Sequence, residues 1–184
     1  MPPKILIAGI GNIFFGDDAF GVEVARRLAV RPLPEGVRVV DFGIRGFDLT
    51  FALLEDDDAV VLVDAVPKGG VPGTLYLIEP EPADEDEPDP GEWLLDPHSL
   101  DPAKVLRAVK ALGGRAKHIL VVGCEPTPIN DEADIEPGLS EPVQSVLDDA
   151  IAMIETLIDE IRADHQKTVE RSGPTRSTAE EAIR

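Results

Sequence analysis

The chain has 184 residues, with 17 basic against 36 acidic side chains and a formal net charge of −19. So acidic a chain would repel nucleic-acid phosphates and anionic membrane surfaces, and no apolar run approaches the ~18 residues a membrane helix needs. One cysteine, Cys124, excludes an internal disulfide framework and any cysteine-built zinc or iron–sulfur site within one chain. With no signal-peptide pattern after Met1, these limits describe a soluble, cytoplasmic, single-domain protein.

Five short runs rich in Val, Ile and Leu read as strands: Ile5–Ala8, Val37–Phe42, Ala59–Val63, Thr74–Ile78 and His118–Val122. Unbroken apolar runs of this length suit strands covered on both faces, as in a parallel sheet. Helical period fills the gaps. Val22, Ala25 and Leu28 share a face after the first strand, and Phe47–Leu54 is a shorter candidate. Asp101 and Pro102 open a third helix through Val105, Leu106, Val109 and Leu112, which Gly113-Gly114 stops. In the last helix Ser140 serves as N-cap, and Val143, Leu147, Ile151, Ile154, Ile158 and Ile161 form a core stripe. Strands alternating with helices predict an α/β fold with a mostly parallel five-stranded sheet, although periodicity fixes neither strand order nor the direction of the fourth strand.

Two segments differ in character. Glu79–Glu92 carries eight acids and four prolines in fourteen residues, too repulsive to pack, and reads as a solvated loop. Residues 165–184 are polar and read as a disordered tail, leaving 1–164 as the folded domain.

The turn Gly9-Ile10-Gly11-Asn12 follows the first strand as a dinucleotide loop would, and Asp41 ends the second strand. Phe14 stands where the third glycine belongs, however, and Asp17 and Asp18 would repel a pyrophosphate at the helix start. Those acids suit other chemistry. Asp17, Asp18 and Asp64 fall at the carboxyl edge of a parallel sheet, where ligands bind in such folds, and His98 precedes the third helix and can reach that edge. Two carboxylates and an imidazole make an N/O ligand set with open positions. The plainer alternatives are a helix-end acid at Asp18, a turn cap at Asp64 and a solvated His98. Cys124 with His98 is a conceivable nucleophile pair, but a small buried cysteine is the commoner outcome. No serine sits in a nucleophile elbow, and His118 and His165 read as structural or solvated.

The ordered series GIGN, Gly16-Asp17-Asp18, Gly21-Val22, Asp41-Phe42-Gly43-Ile44-Arg45-Gly46, Val63-Asp64-Ala65, Pro72-Gly73-Thr74-Leu75, Pro97-His98, Val122-Gly123-Cys124-Glu125-Pro126 and Gly138-Leu139-Ser140 resembles the [NiFe]-hydrogenase maturation proteases. The likeness spans about residues 4 to 160. It implies a three-layer α/β/α sandwich and an endopeptidase that removes a C-terminal extension from a nickel-loaded hydrogenase large-subunit precursor. By the resemblance Asp18, Asp64 and His98 contact nickel carried by the substrate, with no tightly bound metal of the enzyme's own. Two mechanisms are open on this reading: nickel activates the carbonyl or a water with Asp18 or Asp64 as general base, or nickel only positions the precursor and Asp17 assists proton transfer; Asn12, Gly43 and Gly46 are the substrate-binding candidates. The chain departs from the family pattern at Ala19, Phe42 and Ile44 and in its acidic insert. A precursor-binding protein without peptidase activity is the alternative on the same fold. The apolar stripe of the last helix leaves no second face for a dimer, so a monomer is expected.

Overall fold

The structure is a computed structural model that describes residues 1–80, 118–129 and 137–172. His98, the expected helix from Asp101 and nearly all of the acidic segment lie outside these residues. The described chain runs β1 (Ile5–Ile10), a 3-10 turn (Gly16–Ala19), α1 (Phe20–Ala29), β2 (Val37–Gly43), α2 (Gly46–Leu53), β3 (Ala59–Ala65), β4 (Leu75–Ile78), β5 (His118–Cys124), α3 (Glu141–Ser145) and α4 (Leu147–Ser172).

The strands form one sheet in the order β2-β1-β3-β5-β4. β2, β1, β3 and β5 are parallel; β4 pairs antiparallel with β5 and closes that edge. Because successive side chains point to opposite faces, β1 sends Ile5 and Ile7 one way and Leu6, Ala8 and Ile10 the other. β3 divides likewise, Val61 and Val63 against Val60 and Leu62. The first face packs on α1, α3 and α4 through Phe20, Val24, Leu28, Val143, Ile151 and Ile154. The second packs on Phe42 and on α2 through Leu49, Ala52 and Leu53. Helices on both faces of a mostly parallel sheet give the three-layer sandwich.

Three local differences from the sequence reading have physical causes. Val146 interrupts the expected single last helix between α3 and α4, where the Ser145 hydroxyl donates back to the Pro142 carbonyl at 2.8 Å and competes for a helix acceptor. Ser140 does stand at the N-cap of α3, but its hydroxyl makes no cap bond. α4 runs eight residues beyond the expected 164 boundary, to Ser172. Its polar last turns carry their own side-chain bonds: Lys167 to Asp164 at 2.8 Å and Gln166 to Glu170 at 3.2 Å. Among the described residues, no helix is long and apolar enough to cross a membrane.

Candidate active site

The sheet's carboxyl edge is assembled around the exit from β1. Gly11 adopts φ +128°, a conformation open to glycine, and a side chain there would collide with the Asp18 carbonyl. The chain then folds through an Asx turn, in which the Asn12 side-chain oxygen accepts the Phe14 N–H at 3.0 Å. The Asn12 N–H donates to Asp18 Oδ2 at 2.7 Å. A donor that a phosphate would need is therefore taken by the protein's own carboxylate. The two glycines of the turn serve close packing, and the nucleotide reading loses its footing.

Gly21 brings the next carboxylate into the neighbourhood. It lies so close to the backbone carbonyls of Val63 and Ile10 that a Cβ would penetrate both oxygens. The start of α1 thus rests on the ends of β1 and β3, and the 3-10 turn carrying Asp17 and Asp18 packs against β3. Asp64 is the residue after Val63. It is buried, stands opposite Gly123 of β5, and accepts the Ala65 N–H at 2.8 Å. Gly43 completes this edge from the β2 side, its carbonyl accepting the Gly11 N–H at 3.1 Å. Gly46 opens α2, where its carbonyl accepts the Thr50 hydroxyl at 2.9 Å.

The two acids of the 3-10 turn have different surroundings. Asp18 is half-buried, and burial pushes its carboxyl above the ordinary range despite the opposing Asn12 N–H. Asp17 is buried, with its oxygens committed to Ser140 and Thr127. Around this edge stand exposed apolar side chains: Phe14 and Phe15 before the 3-10 turn, Ile44 and Phe47 after β2. Asp18 and Asp64 together offer carboxylate oxygens suited to a hard or intermediate cation, or to proton transfer. Among the described residues, no three His, Cys, Asp or Glu side chains are grouped to hold a metal ion.

The HycI hydrogenase maturation protease model matches residues 22–157, well over half of the chain. This chain belongs to the hydrogenase maturation proteases. It is 37% identical over 152 residues to the putative hydrogenase maturation protease MJ0253 of Methanocaldococcus jannaschii, covering 82% of this chain and 93% of that one. It is 28% identical over 152 residues to the hydrogenase 2 maturation protease of Escherichia coli strain K12, covering 82% and 90%. The solved hydrogenase maturating endopeptidase HybD of E. coli superposes with a TM-score of 0.65 at 26% identity, covering 85% of this chain and 93% of that one. The chain thus has the expected α/β fold and belongs to a family of processing endopeptidases.

In this protease Cys124 is fully buried, and desolvation, followed by the nearby Asp17 and Glu125 carboxylates, pushes its thiol up to about 11. A thiol so placed is protonated at neutral pH and unreactive, which favours the plain core-cysteine reading. Native protein treated with iodoacetamide at pH 8 is expected to keep its intact mass, whereas urea-unfolded protein gains one adduct. Rapid labelling of the native form would contradict this.

Glu125 was not singled out by sequence reasoning. It is buried at the end of β5 and receives the Lys68 N–H at 2.9 Å, the Gly69 N–H at 2.9 Å and the Tyr76 hydroxyl at 2.7 Å. Its own backbone N–H donates to the Thr74 carbonyl, and its carbonyl accepts the Gly73 N–H. One side chain thus staples the loop that follows Asp64. The available signal was an acid directly after a buried strand and before Pro126. The Tyr76 hydroxyl, aided by the backbone donors, holds the Glu125 carboxyl below its ordinary 4.5. A carboxyl lowered on folding stabilises fully above its unfolded pKa, and that contribution fades as pH falls through the depressed value. The Tm gap between wild type and Glu125→Gln should therefore be widest near neutrality and narrow below about pH 4.5. A gap independent of pH would contradict this assignment.

Proposed function

We propose that this protease removes the C-terminal extension of a nickel-loaded [NiFe]-hydrogenase large-subunit precursor, using the substrate's own nickel as the recognition element. The observation that supports this most directly is the close packing of the Asp18-bearing turn, through Gly21, on the end of β3 beside Asp64. Two carboxylates at one sheet edge suit transient contact with a metal delivered by a partner, since such ligation adds binding energy only when the substrate is loaded. His98, from the sequence, is the proposed third contact.

In the proposed reaction Asp18 is the proton-transfer group. It takes a proton from the water that attacks the scissile carbonyl. As the C–N bond breaks, that proton passes to the departing amine. Asp64, buried and fixed by the Ala65 N–H, serves as the rigid metal contact. The enzyme acts as a monomer in this reading, supported by burial of the α3–α4 stripe from Val143 to Ile158 against the sheet.

The test is intact mass spectrometry of the cognate precursor after incubation with the protease, with and without bound nickel. Loss of a discrete C-terminal peptide from the nickel-loaded form alone is the expected result. Equal cleavage of both forms would remove the nickel requirement, and complex formation without cleavage would favour a binding role for this chain.

A further inference from the structure

Asp17 neighbours Asp18 in sequence, yet its carboxylate is spent inside the protein. Its Oδ1 accepts the Ser140 N–H at 2.6 Å, and its Oδ2 accepts the Thr127 N–H at 2.8 Å and the Ser140 hydroxyl at 2.8 Å. The Thr127 hydroxyl donates in turn to Ser140 Oγ at 2.8 Å, which closes the network. This explains why Ser140 stands at the N-cap of α3 without capping it. The partners are 110 and 123 residues away in sequence, so a single side chain ties the turn after β1 to the chain leaving β5 and to the start of α3. Two residues before Thr127, Glu125 ties the loop after Asp64 to that same strand end.

We propose that Asp17 is a positioning residue for the reaction. It locks the 3-10 turn onto Thr127 and Ser140, and so sets Asp18 in fixed relation to Asp64 on a frame that the β5 exit shares with both. Buried charge-assisted bonds to backbone N–H groups are strong and directional, as such a lock requires. Removing an outer partner that orients metal-contacting groups typically costs ~10–100-fold in affinity or activity. The inference rests on the reading that Asp18 and Asp64 contact substrate-borne nickel.

The test measures the docking of nickel-loaded and nickel-free precursor to full-length wild type, Asp17→Asn and Ser140→Ala, alongside cleavage rates and Tm. Asp17→Asn presents an NH₂ group to donors that need an acceptor, so at least one of the three bonds is lost and the lock on the turn is weakened. The expected result is a wild-type preference for the nickel-loaded precursor that falls roughly tenfold or more in Asp17→Asn. Ser140→Ala, which removes one donor and keeps the backbone bonds, should shift the preference in the same direction by a smaller factor. It also carries the test if Asp17→Asn does not fold. A lowered Tm with the full nickel preference retained would reduce Asp17 to structural support and overturn the proposal. Abolished cleavage in Asp17→Asn with the preference intact, and no effect of Ser140→Ala, would make Asp17 a catalytic group and overturn it too. No nickel preference in wild type would instead remove the functional reading on which the inference stands.

Discussion

Replacing Asp64 with Asn is expected to lower precursor cleavage by at least about a hundredfold while leaving the fold in place. Asparagine has the same shape, and its side-chain oxygen can still accept the Ala65 N–H that Asp64 accepts at 2.8 Å. What disappears is one of the two carboxylate oxygens proposed to face the nickel, at a buried position. The loss expected from removing one preorganised electrostatic group at a reacting centre is ~10²–10³ in rate, or about 2.7–4 kcal/mol. Single-turnover cleavage of nickel-loaded precursor, with circular dichroism and Tm as controls, measures it. Near wild-type cleavage by a folded Asp64→Asn protein would discard Asp64 as a metal contact. The same assay on Asp18→Asn separates two roles. Docking and cleavage reduced together indicate recognition, whereas cleavage lost with docking intact indicates the proton transfer proposed for Asp18.

The second large effect concerns a residue with no functional group. Gly21 lies within α1, where helix propensity alone predicts that Gly21→Ala stabilises the protein by about 1 kcal/mol. Packing predicts the opposite sign. The new methyl would overlap the carbonyl oxygens of Val63 and Ile10, and backbone oxygens fixed in strands cannot swing aside as a side-chain tip would. Overpacking against such neighbours costs about 3 kcal/mol, the upper end of the usual range, or a Tm lower by roughly 6–12 °C for a domain of this size. Because α1 would have to lift off the ends of β1 and β3, cleavage should fall as well. Thermal melts of Gly21→Ala decide the sign directly, and an unchanged or raised Tm would show that the helix can settle elsewhere.

Much of this architecture could be read from the chain because its signals are local. Five apolar runs located five strands to within a few residues, most plainly β1, β3 and β5, whose burial on both faces requires Val, Ile and Leu. The stripe from Val143 to Ile158 located the helical segment on one face of the sheet. The carboxyl edge was likewise legible, because a parallel sheet sends Asp18 and Asp64 to the same end. Asp17 and Glu125 were opaque for the complementary reason. Their partners, Thr127 and Ser140 for one and Lys68, Gly69 and Tyr76 for the other, come together only through the folded chain. Neither an acid's spacing nor its neighbours in sequence reveal that its oxygens point at distant backbone donors. The extension of α4 past 164 was hidden differently, since composition registers polar residues but not the bonds they make along a helix face.

The two margins of the described sheet bear on how the protease behaves in a crowded solution. A strand on the outside of a sheet offers a row of unmatched backbone donors and acceptors to which any extended peptide can add. Here one margin is β4, only four residues long and running against its neighbour. The other is β2, along which Arg38 pairs with Asp57 at 2.7 Å and with Glu55 at 3.0 Å, and Asp41 pairs with Arg26 at 3.3 Å. Charged side chains beside an exposed backbone row discourage sheet-to-sheet stacking between molecules, because each would have to be stripped of water. Long-range repulsion from a net charge of −19 acts in the same sense at neutral pH. Concentrated stocks should therefore remain clear near neutrality and cloud on acidification, as carboxylates, those beside β2 included, lose their charge.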